Sequence, residues 1–317
     1  MEIDKIWNEK EITDRWDDSG IVKLSIVCTT FNHEEYIEQA ILGFLSQITS
    51  YRFEVIIHDD ASDDNTVNII ERYKKSHPNL IRVLKQDENQ YSKGYFRPFL
   101  YSSDYAVGEY IAFCEGDDFW LDPYKIDKQV SHLDKYPNFI LSHSNACSLS
   151  QSNVITHNIN GKYNYDKNFD LFNSILSHSY IIRTASVVVR TELLKSAFKN
   201  NMLFQTDIKL GDLIIWLDLS DKGGFFYHDE EMVCYRVLLE SASHSSNVIK
   251  KLSFQSDIFF VEGWFFLKRK SFTIFKYVSI RLLWLIKQNL INLTTVSIKR
   301  LIRHSIDIKN IKKKRII

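Results

Sequence analysis

Residues 110–118 read YIAFCEGDD, an apolar run that ends in a cluster of carboxylates. Such a strand end builds an anionic, oxygen-rich pocket, in which the carboxylates repel one another unless a cation binds between them. Side chains two apart in an extended segment point the same way, so Glu115 and Asp117 face one site. Oxygen ligands of this kind suit Mg²⁺ or Mn²⁺, which usually arrive with a substrate diphosphate. The alternative is an acidic strand end that only caps the following helix.

Two more apolar runs, Leu24–Cys28 and Phe53–Ile57, lack clean alternation, as does Tyr110–Cys114. Such runs are typical of strands that are buried on both faces of a parallel sheet. Helical patterns separate them: Asn32 is predicted to cap one helix, and Asp64 or Asn65 a second. The alternation predicts a doubly wound α/β domain over residues 20–145.

Further along, the patterns are weaker. A helical stripe follows Pro123, and the polar stretch at 142–180 is poorly periodic. The remaining predicted elements are a strand at 186–190, helices at 191–199 and from 212, strands at 225–227 and 232–236, and helices over 250–317.

The formal net charge of zero hides an asymmetry. Residues 250–317 hold 16 Lys/Arg against 3 Asp/Glu, a balance of +13, and residues 1–249 hold 24 against 37, a balance of −13. A basic tail on an acidic body indicates different partners for the two parts. We predict an N-terminal extension at 1–21, a catalytic domain at 22–249 and a basic amphipathic helical tail at 250–317.

The four cysteines are scattered without a CxxC spacing. This distribution favours a reduced, cytosolic compartment and argues against a zinc site. The acidic N-terminus predicts no signal peptide. The longest apolar stretch, residues 272–298, is interrupted by Lys276, Arg281 and Lys287, so we predict no transmembrane segment.

Phosphate-binding glycine motifs are missing from the sequence, which contains neither GxGxxG nor GxxxxGK[ST]. This excludes a Rossmann-type dehydrogenase and a P-loop enzyme. A sugar-phosphate nucleotidyltransferase would need a Gly-rich N-terminal loop, and Cys28–His33 holds no glycine. Phosphate charge would instead be met by a metal at the third strand end.

Four segments together carry a family resemblance, which extends from residue 22 to about 245. They are LSIVCTTFNH at 24–33, DDASDD at 59–64, EGDDFW at 115–120 with Asp122, Pro123 and Lys125, and Gly211-Asp212 with Tyr235-Arg236-Val237 downstream. The chain resembles the family 2 glycosyltransferases, which are inverting enzymes of the GT-A fold, and in particular the bacterial members that build capsule and lipopolysaccharide. The resemblance implies a Rossmann-like, mixed but mostly parallel sheet flanked by helices, here with a helical C-terminal extension.

The resemblance also implies how a nucleotide-sugar is held. Thr29 and Phe31 would pack on uracil, and Thr30 would line the same pocket. An aromatic face and a hydroxyl suit a flat base with polar edges. Asp59 would accept the N3–H of uracil. Asp60 would bind ribose or cap the next helix, and the residues alone favour a structural role.

Glu115 and Asp117 match the metal-binding DxD motif of the family, with Glu in place of the first Asp. The resemblance makes Asp117 the metal ligand, with Mn²⁺ or Mg²⁺ as the cofactor, and leaves open whether Glu115 touches the metal. Asp118 and Trp120 would lie near the donor sugar, although a turn and helix start explains Trp120 almost as well. The family often has a His soon after its Tyr-Arg pair, lining the phosphate or the metal. Leu238-Leu239-Glu240 stand there in this chain, and His244 is either a substitute metal ligand or a surface residue.

Asp212 is the candidate general base, since an inverting transfer needs one carboxylate beside the acceptor hydroxyl. Gly211 would let the acceptor approach the backbone. A helix N-cap fits the position of Asp212 equally well, and only the resemblance decides for catalysis.

The function implied is transfer of a hexose or N-acetylhexosamine, most often from a UDP-sugar, to a glycan or a polyprenyl-diphosphate-linked sugar. Basic and aromatic residues of the tail, such as Trp264, Phe265, Phe275, Tyr277 and Leu285, favour a peripheral position on an anionic inner membrane face. The alternatives are a helical cap on the catalytic domain and a homodimer contact. Nucleic acid is a poor fit for an acidic body. A second alternative to the enzyme is a non-catalytic, membrane-associated binding protein with a degenerate GT-A fold.

Overall fold

A computed structural model describes residues 6–94, 97–160, 170–176, 182–238, 247–269, 272–292 and 295–316; the side chains of 272–277 and 312–316 lie outside this description. The chain divides into two compact units. Unit 1 comprises Met1–Asn164, Ile181–Ala197 and Lys222–Val237, and unit 2 comprises Tyr165–Tyr180, Phe198–Asp221 and Leu238–Ile317. Residues 198–221, which include Asp212, thus belong to the same unit as the C-terminal helices. The predicted boundaries at residues 21 and 249 stay predictions.

The strands all lie in unit 1. They are β1 (Leu24–Thr30), β2 (Phe53–Asp59), β3 (Ile81–Lys85), β4 (Tyr110–Glu115), β5 (Phe119–Trp120), β6 (Phe139–Ser150), β7 (Ile155–Thr156), β8 (Val188–Arg190) and β9 (Gly224–Val237).

The helices are shared between the two units. They are α1 (Glu9–Thr13), α2 (Ile37–Leu45), α3 (Thr66–Ser76), α4 (Pro98–Asp104), α5 (Lys125–Lys135), α6 (Leu171–Leu176), α7 (Thr191–Asn200), α8 (Gly211–Leu219), α9 (Val248–Arg269), α10 (Phe272–Ile291) and α11 (Val296–Ile316).

The strands form one mixed sheet in the order β3-β2-β1-β4-β8-β6-β9-β5, with β7 paired to β6. The first four are parallel to one another, as the doubly buried runs of β1, β2 and β4 predict for those three strands. The antiparallel pairs β4–β8, β6–β8 and β5–β9 then make the sheet mixed. This arrangement confirms the predicted fold class of a mixed sheet flanked by helices.

Two strands differ from their predictions. The first nine residues of the polar stretch, 142–150, lie within β6, whose Ser142, His143, Ser144 and Asn145 are buried. Ser142 Oγ lies 3.0 Å from Nε2 of His228, and Asn145 donates from Nδ2 to Asn158 at 2.7 Å. The two short strands predicted after residue 224 are one continuous strand, β9, which runs parallel to β6.

The core of unit 1 forms because the inward residues of β1, β2 and β4 and the apolar stripe of α2 are wholly buried. On α2 these are Ile37, Ala40, Ile41, Phe44 and Leu45, spaced as one helical face. Such burial stabilises the fold by about 1.5–3 kcal/mol for each large side chain. The strand ends are therefore held on a rigid platform.

The four cysteines are buried free thiols. They are scattered in sequence but neighbour each other in pairs across the sheet: Cys28 lies opposite Cys114, and Cys147 lies opposite Cys234. The sequence spacing hides these pairs because register, not distance along the chain, brings them together.

Unit 2 is helical, and buried ion pairs join its helices. Arg281 of α10 donates from Nε to both carboxylate oxygens of Glu262 on α9, at 3.0 and 2.9 Å. Phe265 and Leu285 are buried. Within the described part of the chain, no helix is both long enough and apolar enough to cross a membrane.

Candidate active site

Three parallel strands place their polar C-terminal ends side by side. In the sheet register Thr29 lies opposite Glu115, and Thr30 lies opposite Asp59. Ligands of open α/β sheets sit beyond such carboxyl ends. The structure therefore brings together the three predicted strand ends, which the sequence separates by up to 86 positions between Thr29 and Glu115.

The loops after β1 and β2 are locked to each other. Asn32 donates from Nδ2 to Asp63 Oδ1 at 2.7 Å and accepts from the Asp63 N–H at 3.0 Å. Asn32 and Ala61 both have positive φ, 52° and 65°, a conformation that is costly for a residue with a side chain and that is common at functional sites. The predicted cap by Asn32 is wrong, because α2 begins only at Ile37 and Asn32 joins the two loops instead.

Asp59 and Asp60 at the end of β2 are both buried but make different bonds. Asp59 Oδ2 accepts the backbone N–H of Ser62 at 3.0 Å. Asp60 accepts the N–H groups of Gln90 and Tyr91, one on each oxygen at 2.9 Å. Asp60 thus holds the turn at residues 90–91 and does not cap α3. The predicted contacts of both carboxylates with a nucleotide stay predictions.

The first loop carries one exposed aromatic ring and two buried polar atoms. Phe31 is 40% exposed, so it is not an ordinary core residue. Thr30 Oγ1 and His33 Nδ1 are buried without a hydrogen-bond partner among the described residues. A Cβ at Gly116 would lie 2.7 Å from that Thr30 oxygen and 2.9 Å from that His33 nitrogen, so only glycine allows the third strand end to approach so closely.

Carboxylates crowd this strand end. Asp118 is 2% exposed, and burial raises its pKa well above the usual range, with the negative charges of Asp117 and Glu115 raising it further. Glu115 and Asp117 are only partly buried. An acidic group that repels its neighbours in this way is stabilised in its charged form when a cation is added.

Arg236 of β9 is the main residue of the site for which the sequence predicted no role. Its guanidinium donates from Nη1 to the carbonyl oxygen of Asp117 at 2.5 Å and from Nη2 to the side chain of Gln39. Its backbone N–H donates to Asp118 Oδ1 at 2.8 Å. The same group lies 4.8 Å above the ring of Tyr36. It fixes the Asp117-Asp118 backbone from a strand about 120 residues away in the chain. The only sequence signal was its place in the Tyr-Arg pair.

Trp120 lies in the core, 1% exposed, with its Nε1–H donated to the carbonyl of Ala185 at 3.1 Å. Nζ of buried Lys125 lies 4.2 Å from the centre of the Trp120 ring. A direct contact between Trp120 and a donor sugar does not fit this position. Because Trp120 follows Asp118 by two residues in the chain, its predicted place in the donor site is limited to an indirect effect on the acidic segment.

Asp212 belongs to unit 2, where it is exposed in the first turn of α8. The N-cap of α8 is Leu210, so Asp212 does not occupy the cap position that was the alternative to catalysis. No described atom lies within 4 Å of a Cβ built on Gly211, which leaves open space beside the candidate base. The assignment of Asp212 as general base stays a prediction. His244 lies outside the described residues.

The acidic end of β4 fits a divalent cation. Asp117, Glu115 and Asp118 offer hard oxygen ligands, and burial, together with the neighbouring negative charges of Asp117 and Glu115, raises the pKa of Asp118. Asp117 and Glu115 would hold the ion, and Asp118, whose Oδ1 is engaged by Arg236, would orient the segment.

The profile of the family "Glycosyl transferase family 2" matches residues 25–198. The match covers more than half of the chain and contains the three strand ends of the candidate site. The chain belongs to glycosyl transferase family 2.

Among similar proteins, a "UDP-Glc:alpha-D-GlcNAc-diphosphoundecaprenol beta-1,3-glucosyltransferase", WfgD of Escherichia coli, is 24% identical over 242 residues, 76% of this chain and 87% of WfgD. The chain spans about a third (32%) of the length of the curated relatives that it matches at 46% identity.

Two solved structures share the fold. TarS of S. aureus, residues 1–349 in complex with UDP-GlcNAc, superposes with a TM-score of 0.53 at 17% identity, over 76% of this chain and 66% of that one. The mannosyltransferase PcManGT of Pyrobaculum calidifontis, in complex with GDP-Man and Mn²⁺, gives 0.51 at 16% identity, over 85% and 71%. Both are glycosyltransferases of the GT-A fold, and this fold is confirmed for the chain.

Proposed function

We propose that the protein is a metal-dependent, inverting glycosyltransferase that moves a hexose or N-acetylhexosamine from a UDP-sugar to a glycan or polyprenyl-diphosphate-linked acceptor in surface polysaccharide assembly. The observation that carries the proposal is the crowding of Glu115, Asp117 and Asp118 at the end of β4, where burial and mutual repulsion raise the pKa of Asp118. Family membership and the acceptor named for WfgD support the reaction class.

The donor would lie across the three strand ends. The exposed ring of Phe31 offers a stacking face for a base. Half-buried Thr29 offers a hydroxyl at the same strand end, and buried Thr30 would line the pocket. Asp59 already accepts from Ser62, but each carboxylate oxygen has two lone pairs, so it can also accept the N3–H of uracil. Asp60 holds the adjacent turn at Gln90.

Asp117 and Glu115 would bind the metal, Mn²⁺ or Mg²⁺, which supplies charge neutralisation for the departing diphosphate when it is bound. Arg236 holds the carbonyl of Asp117 and so keeps this ligand in one orientation. The carboxylate oxygens of Asp117 and Glu115 suit such hard cations.

Asp212 would take the proton of the acceptor hydroxyl. As the proton leaves, the acceptor oxygen bonds to the anomeric carbon and the bond from that carbon to the phosphate oxygen breaks, which inverts the configuration and releases UDP. The exposure of Asp212 and the open space at Gly211 are compatible with a bulky acceptor.

Hydrolysis of UDP-sugars with and without Mn²⁺ tests the proposal, first across a panel of donors with wild-type protein. Asp117→Ala should abolish Mn²⁺-dependent donor binding in calorimetry, and Asp212→Asn should retain donor binding but lose at least 100-fold in turnover, because general base catalysis contributes about 10²–10⁴-fold. Asp104→Asn, a change at an exposed carboxylate at the end of α4, is the matched control.

Each outcome separates the competing functions. Equal turnover in Asp212→Asn removes that residue from the mechanism. UDP-sugar binding without any turnover would favour the non-catalytic binding protein. Binding of a nucleoside triphosphate with a sugar phosphate would favour a nucleotidyltransferase.

We also propose that unit 2 docks on the inner face of the cell membrane, with the protein otherwise in the cytoplasm. Exposed apolar residues recur at helical spacing on α10 (Leu283, Ile286, Leu290) and on α11 (Ile298, Ile302, Ile306). The segment that carries them has a net charge of +13, which suits anionic headgroups. Phe265 and Leu285, which were predicted to face lipid, are buried instead, so the apolar contact would come from these aliphatic residues.

Vesicle flotation tests this docking. Full-length protein should float with vesicles that contain anionic phospholipid and remain below with neutral vesicles. Leu283→Asp with Leu290→Asp should abolish flotation, while Val107→Asp, at an exposed apolar residue of unit 1, should not. A concentration-dependent dimer in light scattering that the same double variant dissolves, without any flotation, would assign the surface to a homodimer.

A further inference from the structure

A second cluster of metal-ligating side chains lies in unit 2, apart from the strand ends of unit 1. It consists of Asp207, His304 and Asp307, whose ligand atoms all lie within 4.8 Å of one another. His304 and Asp307 are three residues apart on α11 and so share one face of that helix. Asp207 precedes α8 in the chain. We call these three residues the α11 cluster.

Three buried atoms of the α11 cluster have no hydrogen-bond partner among the described residues: Oδ1 of Asp207, Nδ1 of His304 and Oδ2 of Asp307. The His304 side chain is 0% exposed and that of Asp207 is 6% exposed. Nδ1 of His304 lies 3.2 Å from Oδ1 of Asp207, so the two atoms form an ion pair when His304 is protonated. Buried polar atoms that converge in this way cost stability unless something binds them.

The other atoms of the two buried ligands are fixed by outer partners. Nε2 of His304 lies 2.8 Å from Oδ1 of Asp257, a carboxylate that Arg300 also binds. Oδ2 of Asp207 lies 3.0 Å from Nη1 of Arg303. A metal-ligating histidine commonly donates its other ring N–H to a carboxylate, which fixes the tautomer and the ring orientation. His304 is held in this arrangement, with Nδ1 directed toward Asp207.

The distances and charges suit a divalent ion. Two ligand bonds of ~2.0–2.1 Å at a near-tetrahedral angle place their donor atoms ~3.3 Å apart, close to the separation between Asp207 and His304. Asp207, Asp257 and Asp307 against Arg300 and Arg303 leave one net negative charge when His304 is neutral. One imidazole nitrogen and two carboxylate oxygens are ligands for Zn²⁺ or Mn²⁺.

We propose that Asp207, His304 and Asp307 form a second divalent-metal site, for Zn²⁺ or an ion of similar preference, with water completing the coordination. The cysteine spacing predicted no zinc site, but that argument does not cover a site without cysteine. The competing explanation is a proton on His304, which would pair the imidazolium with Asp207 and Asp257 and leave no need for a metal.

Calorimetry with Zn²⁺ distinguishes the two. Full-length Asp117→Asn protein, which lacks the proposed ligand of unit 1, is freed of metal with a chelator and titrated at pH 7.5. We expect one Zn²⁺ per chain. Adding Asp307→Asn to this background should lower the affinity at least tenfold, and adding His304→Gln should lower it further. Asp170→Asn, which removes a carboxylate of unit 2 outside the cluster, should leave the affinity unchanged.

A second measurement tests whether misfolding, and not loss of a ligand, causes the loss of Zn²⁺ binding. Asp307 is only partly buried, so Asp307→Asn should fold, which circular dichroism checks. Addition of Co²⁺ should give visible absorption bands in the Asp117→Asn background that disappear in the Asp307→Asn double variant. Absence of Zn²⁺ binding in the Asp117→Asn background, or equal binding with Asp307→Asn, overturns the proposal and leaves the protonated His304 as the explanation.

Discussion

Replacement of Arg236 by lysine is the sharpest test of how the acidic strand end is held. The guanidinium of Arg236 bridges two acceptors at once, the carbonyl of Asp117 and the side chain of Gln39, and lies over the ring of Tyr36. An ammonium group is a compact cation that cannot reproduce this planar fork. Arg236→Lys should therefore keep the charge and lose the bridge.

The size of the effect follows from these contacts. A hydrogen bond from a charged donor contributes about 1.5–3 kcal/mol, and lysine would retain one of the two. The contact with the ring adds about 0.5–1 kcal/mol. Arg236→Lys should lower the free energy of unfolding by about 2–4 kcal/mol. Because Arg236 orients a proposed metal ligand, Mn²⁺ affinity in the presence of UDP should also fall about 10–100-fold.

Urea unfolding and calorimetric Mn²⁺ titration measure the two effects. Arg190→Lys is the matched control, since Arg190 also binds two carbonyl groups, of Leu133 at 2.7 Å and of Phe139 at 3.2 Å, but not the acidic segment. It should lose stability and keep Mn²⁺ affinity. If Arg236→Lys behaves like Arg190→Lys, or if its stability is unchanged, the positioning role is refuted.

Two further predictions concern packing and pH. Gly116→Ala places a methyl group 2.7 Å from Oγ1 of Thr30. It should destabilise the fold by about 1–3 kcal/mol and weaken UDP binding in calorimetry. Gly211→Ala, with open space around it, should unfold like the wild type, and equal stability of both variants would contradict the close approach. Burial lowers the pKa of Lys125 to about 7 from 10.5. Between these pH values the unfolded chain binds a proton at Lys125 that the folded chain does not. The free energy of unfolding should therefore rise with pH across that window by up to about 1.4 kcal/mol per pH unit. Urea unfolding from pH 7 to 9 should show this slope in the wild type and a flatter one in Lys125→Met, whereas equal slopes would show that Lys125 is charged in the folded state.

The sequence alone predicted the parallel half of the sheet. β1, β2 and β4 are buried on both faces, and this burial leaves a local apolar signature in Leu24–Cys28, Phe53–Ile57 and Tyr110–Cys114. The same runs end in polar clusters, so the position of the site at the strand ends was also predictable. Each inference needed only neighbouring residues.

Strand β6 was not predictable in this way. Its Ser142, His143, Ser144 and Asn145 are polar but buried, and distant segments supply hydrogen bonds to this strand, from His228 to Ser142 and from Asn160 to the carbonyl of Ser144. A local pattern reports apolar burial and cannot report a hydrogen bond to a residue 86 positions away. The sequence therefore showed only a poorly periodic polar stretch at the start of which the structure has a central strand.

The individual roles at the site were decided by tertiary structure as well. Arg236 reaches Asp117 across 119 positions, Asp60 holds the turn at Gln90, and Trp120 faces the core. Residue type restricts the chemistry of a side chain, so the acidic cation site was visible in the sequence. Which atom a side chain meets depends on strand register and loop conformation, and these arise only when distant segments pack together.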